Sequence, residues 1–190
     1  KLIDDGDMSI NGAYKETKRQ MNFISLSEYV YERKKDIPLN INNLTLHNKS
    51  SEDMSEVESG TVQTIITSPP YYQKRSYHVE GQIGLEETLE EHLERLMSVM
   101  RECKRVLKEN GSLFLVIVDS YDERGSLRQI PHRISLKMSD DGLILRNTLI
   151  WYKTNAKPEN GRIERWGTSY EYIFFFVRSM DYTFDMDNIR

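Results

Sequence analysis

Hydrophobic and polar positions along the chain change period several times, and each change marks an element. "FISLSEYVYERKKDI" (23–37) places Phe23, Leu26, Val30 and Tyr31 near helical spacing, which predicts a short helix with a charged "ERKKD" flank. Residues 42–60 read as a short strand, then a polar linker or helix ending near Gly60. "TVQTIIT" (61–67) alternates and then runs apolar with β-branched residues, which predicts a strand. Pro69 and Pro70 end it, because neither can donate to a ladder. The clearest helix is 86–111: Leu89, Leu93, Leu96, Val99, Met100, Cys103, Val106 and Leu107 recur at threes and fours. Glutamates crowd its start and basic residues its end, and Gly111 is the expected stop. "SLFLVIVDSY" (112–121) is a near-continuous apolar run, as in a strand covered on both faces. A helix over 130–142, with Pro131 in its first turn, and strands over 143–153 and 170–179 complete the pattern. Strand and helix alternate, so the expected class is α/β with a largely parallel sheet. The last two strands have no helix between them, which suggests a hairpin at one edge.

Composition changes this picture little. The chain has 190 residues, 38% hydrophobic and 29% charged, which suits one domain with an appendage. No apolar run approaches a membrane span and no secretory signal is visible, so the expected setting is cytoplasmic and no membrane partner is expected. The single cysteine, Cys103, excludes an internal disulfide framework and a multi-cysteine zinc site, and it falls on the apolar helix stripe as a core residue. His78 and His132 are isolated, so no metal is assigned. The net charge of −4 argues against a chain coated in basic residues for nucleic acid, but affinity for phosphate follows local clusters.

Chemistry concentrates where the first central strand ends. "TSPPYY" (67–72) sits at the carboxyl end of that strand, the side on which open α/β sheets hold ligands. Two prolines make a stiff elbow that presents backbone carbonyls at fixed positions. Ser68 adds a hydroxyl that donates and accepts, and Tyr71 or Tyr72 offers a flat face. A planar ligand with an exocyclic amino group fits: the ring stacks on tyrosine, and the amino protons bond the serine oxygen and a carbonyl.

"TSPPYY" resembles the motif of the amino DNA methyltransferases. "GQIGLEETLEEHLERLMSVMRECKRVLKENGSLFLVIVDSY", "IPHRISLKM", "GLILRNTLIWYKTNAKPE" and "SYEYIFFFVRS" are similar to the successive blocks that follow it. The motif-first order is that of the beta class. The resemblance divides the chain into an N-terminal extension (1–41) and a methyltransferase catalytic region (42–190). It implies the Rossmann-like sheet of S-adenosylmethionine-dependent methyltransferases, with double-stranded DNA as partner. Serine at the first motif position is the form usually associated with cytosine N4, with adenine N6 as the alternative.

What the resemblance implies about residues follows the motif. A base flipped from the duplex would stack on Tyr71, while Ser68 and the Pro69 carbonyl hold its amine and Pro70 stiffens the elbow. Thr67, Asp119 and Ser120, at strand ends, would shape the base or cofactor pocket; a plain turn-capping role for Asp119 stands beside this. Tyr72, Arg75, Lys153, Lys157, Arg162, Arg165 and Trp166 would meet DNA, since basic residues interleaved with an aromatic suit a phosphate backbone and an unstacked base. Glu171 is read as structural or functional alike.

The resemblance also breaks. A complete beta-class enzyme carries a glycine-rich strand-to-helix turn for its cofactor after these blocks, and the sequence has only scattered glycines. The expectation is therefore the catalytic half of such an enzyme, completed by a second polypeptide or a further segment. A non-catalytic DNA-binding or specificity subunit is the rival reading; it gains nothing from an intact Ser-Pro-Pro-Tyr-Tyr elbow.

Overall fold

The computed structural model describes residues 44–154, 165–185 and 187. The chain divides into two compact units, Lys1–Asn48 and Lys49–Arg190. Of the first, only 44–48 are described, as exposed irregular backbone. The helix expected over 23–37 and the 1–41 extension lie outside the described residues, and 44–60 holds neither a strand nor a helix.

The second unit carries β1 (Val62–Thr67), α1 (Leu89–Val106), β2 (Leu107–Ile117), α2 (Ile130–Asp140), β3 (Ile144–Tyr152) and β4 (Tyr170–Val177). Helix α1 starts at a capping box. The Thr88 side chain accepts from the Glu91 backbone N–H, and the Glu91 carboxylate accepts from that of Thr88. It stops at Val106, five residues before the expected Gly111. The reason is tertiary: the backbone N–H groups of Gly60 and Thr61 bind the carbonyls of Arg105 and Val106, so the chain leading into β1 takes the helix's last acceptors. Gly111 falls inside β2 instead, where a Cβ would meet Leu107 Cγ at 2.8 Å. Helix α2 begins at Ile130 with Pro131 in its first turn, as expected, but Gln129 makes no side-chain cap. Asp119, beyond the end of β2, accepts from the backbone N–H groups of Gln129 (3.0 Å) and Ile130 (3.1 Å) in its place.

The four strands form one sheet in the order β1-β2-β4-β3. β1 and β2 are parallel, while β4 is antiparallel to both β2 and β3. β3 and β4 are thus antiparallel neighbours, as the missing helix suggested, but β4 is inserted between β2 and β3, so of these two only β3 lies at an edge of the sheet. Register decides the faces. Leu113, Leu115, Ile117, Phe174 and Phe176 are buried with α1's Leu93, Leu96, Met97, Met100 and Cys103 and α2's Ile134 and Met138. Each such apolar side chain contributes about 1.5–3 kcal/mol. The alternate residues face the other way. Phe114 stacks on Phe175 (centroids 4.8 Å apart), and Phe184 and Tyr182 pack over Phe175. Further out on this face Ile66, Leu149 and Trp151 are exposed, so the β2 run is fully covered on one side only. β1 pairs on one side alone among the described residues, and its carboxyl end leads into the elbow.

Candidate active site

The elbow is built from below. Ser68 is exposed at the end of β1, Pro69 is buried and Pro70 half-buried. Gly84 packs directly beneath them at φ +103°; a Cβ there would lie 3.1 Å from the Tyr71 carbonyl oxygen and 3.3 Å from Pro70 Cβ. Its carbonyl accepts from the Gln73 N–H at 2.7 Å. The strap carrying Gly84 is fixed to α1 by two side chains. Arg95 donates to the carbonyls of Gly81 and Gln82 and to the Glu86 carboxylate, and also pairs with Glu52. Glu86 in turn accepts from the Gly84 N–H and meets Nδ1 of buried His92 at 2.9 Å. Burial pushes the His92 pKa down from its ordinary value against the pull of Glu86. The imidazole is accordingly neutral, with Nδ1–H donating to the carboxylate.

The same strap accounts for Tyr72, expected at the DNA surface. Tyr72 is 4% exposed; its ring lies 5.1 Å from that of His92 and its hydroxyl donates to the Glu87 carbonyl. The two consecutive tyrosines of the motif point opposite ways, and Tyr72 is a core anchor of the elbow rather than a surface contact.

Tyr71 takes the other direction. Its hydroxyl donates to Glu171 Oε2 at 2.9 Å and lies 3.2 Å from Ser68 Oγ. Glu171 Oε1 accepts from Lys153 Nζ. Four residues from β1's elbow, β4's start and β3's end thus make one hydrogen-bonded line. Burial, with the Glu171 carboxylate adding to it, pushes the Tyr71 phenol up to about 12, so it keeps its proton at neutral pH. Glu171 is the member that sequence reasoning left undecided. The available signal was a carboxylate in the otherwise aromatic and apolar strand "YEYIFFFV", 7% exposed in the fold.

Beyond the end of β2 a cleft of about 590 Å³ is lined by Lys74, Asp119, Tyr121, Lys153, Arg165 and Tyr170, among others. A neighbouring hollow of about 700 Å³ shares Asp119, Tyr121, Arg165 and Tyr170 and adds Trp166 and His132. The Arg165 guanidinium lies 3.4 Å from the Tyr121 ring centroid, and Trp166 is 95% exposed. Lys153, Arg165 and Trp166 therefore gather around this space. Arg75 is exposed on the strap side, and Lys157 and Arg162 lie outside the described residues. Asp119 has both oxygens engaged by backbone N–H groups, which is the capping role. Ser120 is 7% exposed and its Oγ is without a hydrogen-bond partner, beside Tyr72, Lys74 and Arg128. Thr67 is half-buried at the end of β1. No group of three His, Cys, Asp or Glu residues that could hold a metal occurs among the described residues.

A family model described as DNA methylase matches residues 62–190, from the start of β1 onward. This chain belongs to the DNA methylase family. Among curated proteins it is 33% identical over 157 residues to the type II methyltransferase M.SfiI of Streptomyces fimbriatus, covering 74% of this chain and 37% of that protein. Among solved structures, a Thermus thermophilus protein described as a DNA modification methylase, in complex with S-adenosyl-L-methionine, superposes with a TM-score of 0.53 at 27% identity, over 70% of this chain and 54% of the other. The PvuII DNA methyltransferase (cytosine-N4-specific) shares the fold, with a TM-score of 0.62 at 19% identity over 74% of this chain and 51% of the other. The chain spans between 37% and 60% of the length of the first curated relatives it matches. The α/β sheet is that of the S-adenosylmethionine-dependent methyltransferases, and S-adenosylmethionine is the cofactor of this family. The described residues fit one side of such a molecule. They offer the orphaned Ser120 hydroxyl beyond the end of β2 and the exposed Ser68 beyond the end of β1, and their glycines stand singly rather than in a glycine-rich run.

Proposed function

We propose that this chain carries the amine-binding half of a DNA methyltransferase that modifies cytosine at N4. The observation that carries the reading is Ser68: an exposed hydroxyl at the carboxyl end of β1, on a rigid elbow, held through Tyr71 by a buried carboxylate. A base flipped from the duplex, at a cost of about a few kcal/mol, lies against Tyr71, whose tilt is set by its hydrogen bonds. Ser68 Oγ and the Pro69 carbonyl accept the two amino protons and hold the nitrogen at one position. S-adenosylmethionine, when bound, would supply the methyl group: its S–CH3 bond would break to leave the thioether S-adenosylhomocysteine as the C–N bond forms, and the nitrogen would lose one proton to solvent. Positioning and fixed dipoles carry the acceleration, and no covalent enzyme intermediate is required.

Cytosine is favoured by serine at the first motif position, with adenine N6 as the alternative target. Lys153, Arg165, Trp166 and Arg75, with Lys157 and Arg162 of the adjoining loop, are the proposed DNA contacts. Methyltransferase relatives of the type II class suggest a restriction-modification setting. The remainder of the cofactor site is proposed to come from a second polypeptide or a further segment laid along the edge of β1 that is unpaired among the described residues, and over Ile66. Both are surfaces that a folded protein tends to cover. The test is Ser68→Ala: methyl transfer to DNA is expected to fall by about 100-fold or more with DNA binding unchanged. Full activity in that variant would sink the reading.

A further inference from the structure

A serine hydroxyl at a binding lip can point its proton toward the ligand or away from it. Only the second choice leaves oxygen lone pairs for an amine, and at Ser68 the choice is made one residue removed. Glu171 is the partner of the Lys153 ammonium through Oε1, and a carboxylate so paired only accepts hydrogen bonds. At 2.9 Å from Glu171 Oε2, the Tyr71 hydroxyl must therefore spend its single proton there. At its 3.2 Å contact with Ser68, the same phenol oxygen can then only accept, so Ser68 donates to Tyr71. We propose that Glu171, held by Lys153, is a positioning residue that fixes the direction of this hydrogen-bond chain, so that Ser68 presents lone pairs and the lip selects an exocyclic amino group over a keto oxygen. The inference rests on the functional reading above and names the device that makes that site amine-selective.

The neighbours of the chain support this direction. Glu171 is buried at the start of a strand whose other side chains are aromatic or aliphatic, so its charge has no solvent shell and must be met by these partners. Lys153 is itself fixed, its backbone N–H on the Ser169 carbonyl at 2.7 Å, which joins the end of β3 to the start of β4. Replacing the carboxylate by an amide removes the constraint. The Gln NH2 can donate to Tyr71, the phenol proton turns to Ser68, and the serine proton then faces the ligand.

Two measurements on the full chain test the proposal. In the first, 3,5-difluorotyrosine replaces Tyr71, which brings the phenol's ionisation into a gentle pH range read by fluorine NMR. Glu171→Gln is expected to lower the midpoint, because a negative acceptor is lost, and Ser68→Ala to raise it, because a donor to the phenolate is lost. An unmoved midpoint in both variants overturns the chain itself. The second measures binding of deoxycytidine and deoxyuridine, an amino and a keto base of one shape. The parent is expected to prefer deoxycytidine by about tenfold, the effect of one mismatched donor–acceptor pair, and Glu171→Gln to lose that preference. No preference in the parent, or an undiminished one in Glu171→Gln, overturns the proposal, whereas a merely structural role would weaken both nucleosides equally. Should the preference behave as expected while DNA is never methylated, the functional reading falls and the polarity of the chain stands. The converse result removes the polarity and leaves the methyltransferase.

Discussion

Replacing Gly84 by alanine perturbs the elbow from beneath, through the backbone of Pro70 and Tyr71, without changing any side chain proposed to meet the ligand. Two costs add at this position. At φ +103° an L side chain is strained by about 1–3 kcal/mol. The new Cβ also lies 3.1 Å from the Tyr71 carbonyl oxygen and 3.3 Å from Pro70 Cβ, so backbone must move by a few tenths of an ångström, an overpacking cost of about 1–3 kcal/mol. The control is Gly60→Ala. Gly60 has φ +69° with nothing within 4 Å of a Cβ, so only left-handed strain applies, about 1–2 kcal/mol. Urea unfolding followed by circular dichroism is expected to show Gly84→Ala the less stable variant by about 1 kcal/mol or more. The larger difference is functional: movement of Tyr71 loosens its contact with Glu171, so methyl transfer falls in Gly84→Ala and stays near the parent's in Gly60→Ala. Equal stability of the two variants, together with undiminished transfer in Gly84→Ala, would refute the claim that Gly84 carries the elbow.

Three further expectations concern the scaffold and the DNA face. Burial depresses the His92 pKa below 6.5, so below that pH the unfolded chain takes up a proton that the folded one refuses. The urea midpoint is therefore expected to fall between pH 7 and pH 5, and a fall of the same size in His92→Asn would contradict the cause. Burial pushes the Cys103 thiol up to about 12, so iodoacetamide at pH 8 should leave the folded chain unlabelled and label it fully in urea; the same shift makes stability decline as pH rises from 9 toward about 12. Arg165→Ala combined with Trp166→Ala should weaken DNA binding and flatten its salt dependence, whereas unchanged salt dependence would remove these residues from the proposed DNA contacts.

Much of the architecture was legible because period and composition report local structure. The elements from β1 to β4 lie where the alternation, the helical stripe and the prolines placed them. What escaped reading was set by partners distant in sequence. Nothing in "LKENG" says that Gly60 and Thr61 will capture the last helical carbonyls, so α1 ends before Gly111 and β2 begins at Leu107. Strand order is likewise non-local: a final antiparallel strand reads the same at an edge as between two neighbours. In the motif, two adjacent tyrosines on an irregular turn carry no period from which to tell the core residue from the lip residue. The capping role of Asp119 was visible only as one of two alternatives, because its acceptor count depends on α2 folding back beside it. Glu171 was present as a charge out of place, and its meaning depended on Lys153 and Tyr71, 18 and 100 residues away.

The central claim is that Ser68 and its elbow hold the exocyclic amine of a DNA base for methylation. The most direct measurement is nucleoside mass spectrometry of DNA from cells that express the chain from its native locus, beside cells carrying Ser68→Ala there. The account predicts N4-methylcytosine in the first and its loss in the second. N6-methyladenine that disappears with Ser68 would move the target from cytosine to adenine, and a methylated-base content unaltered by Ser68→Ala would contradict the account.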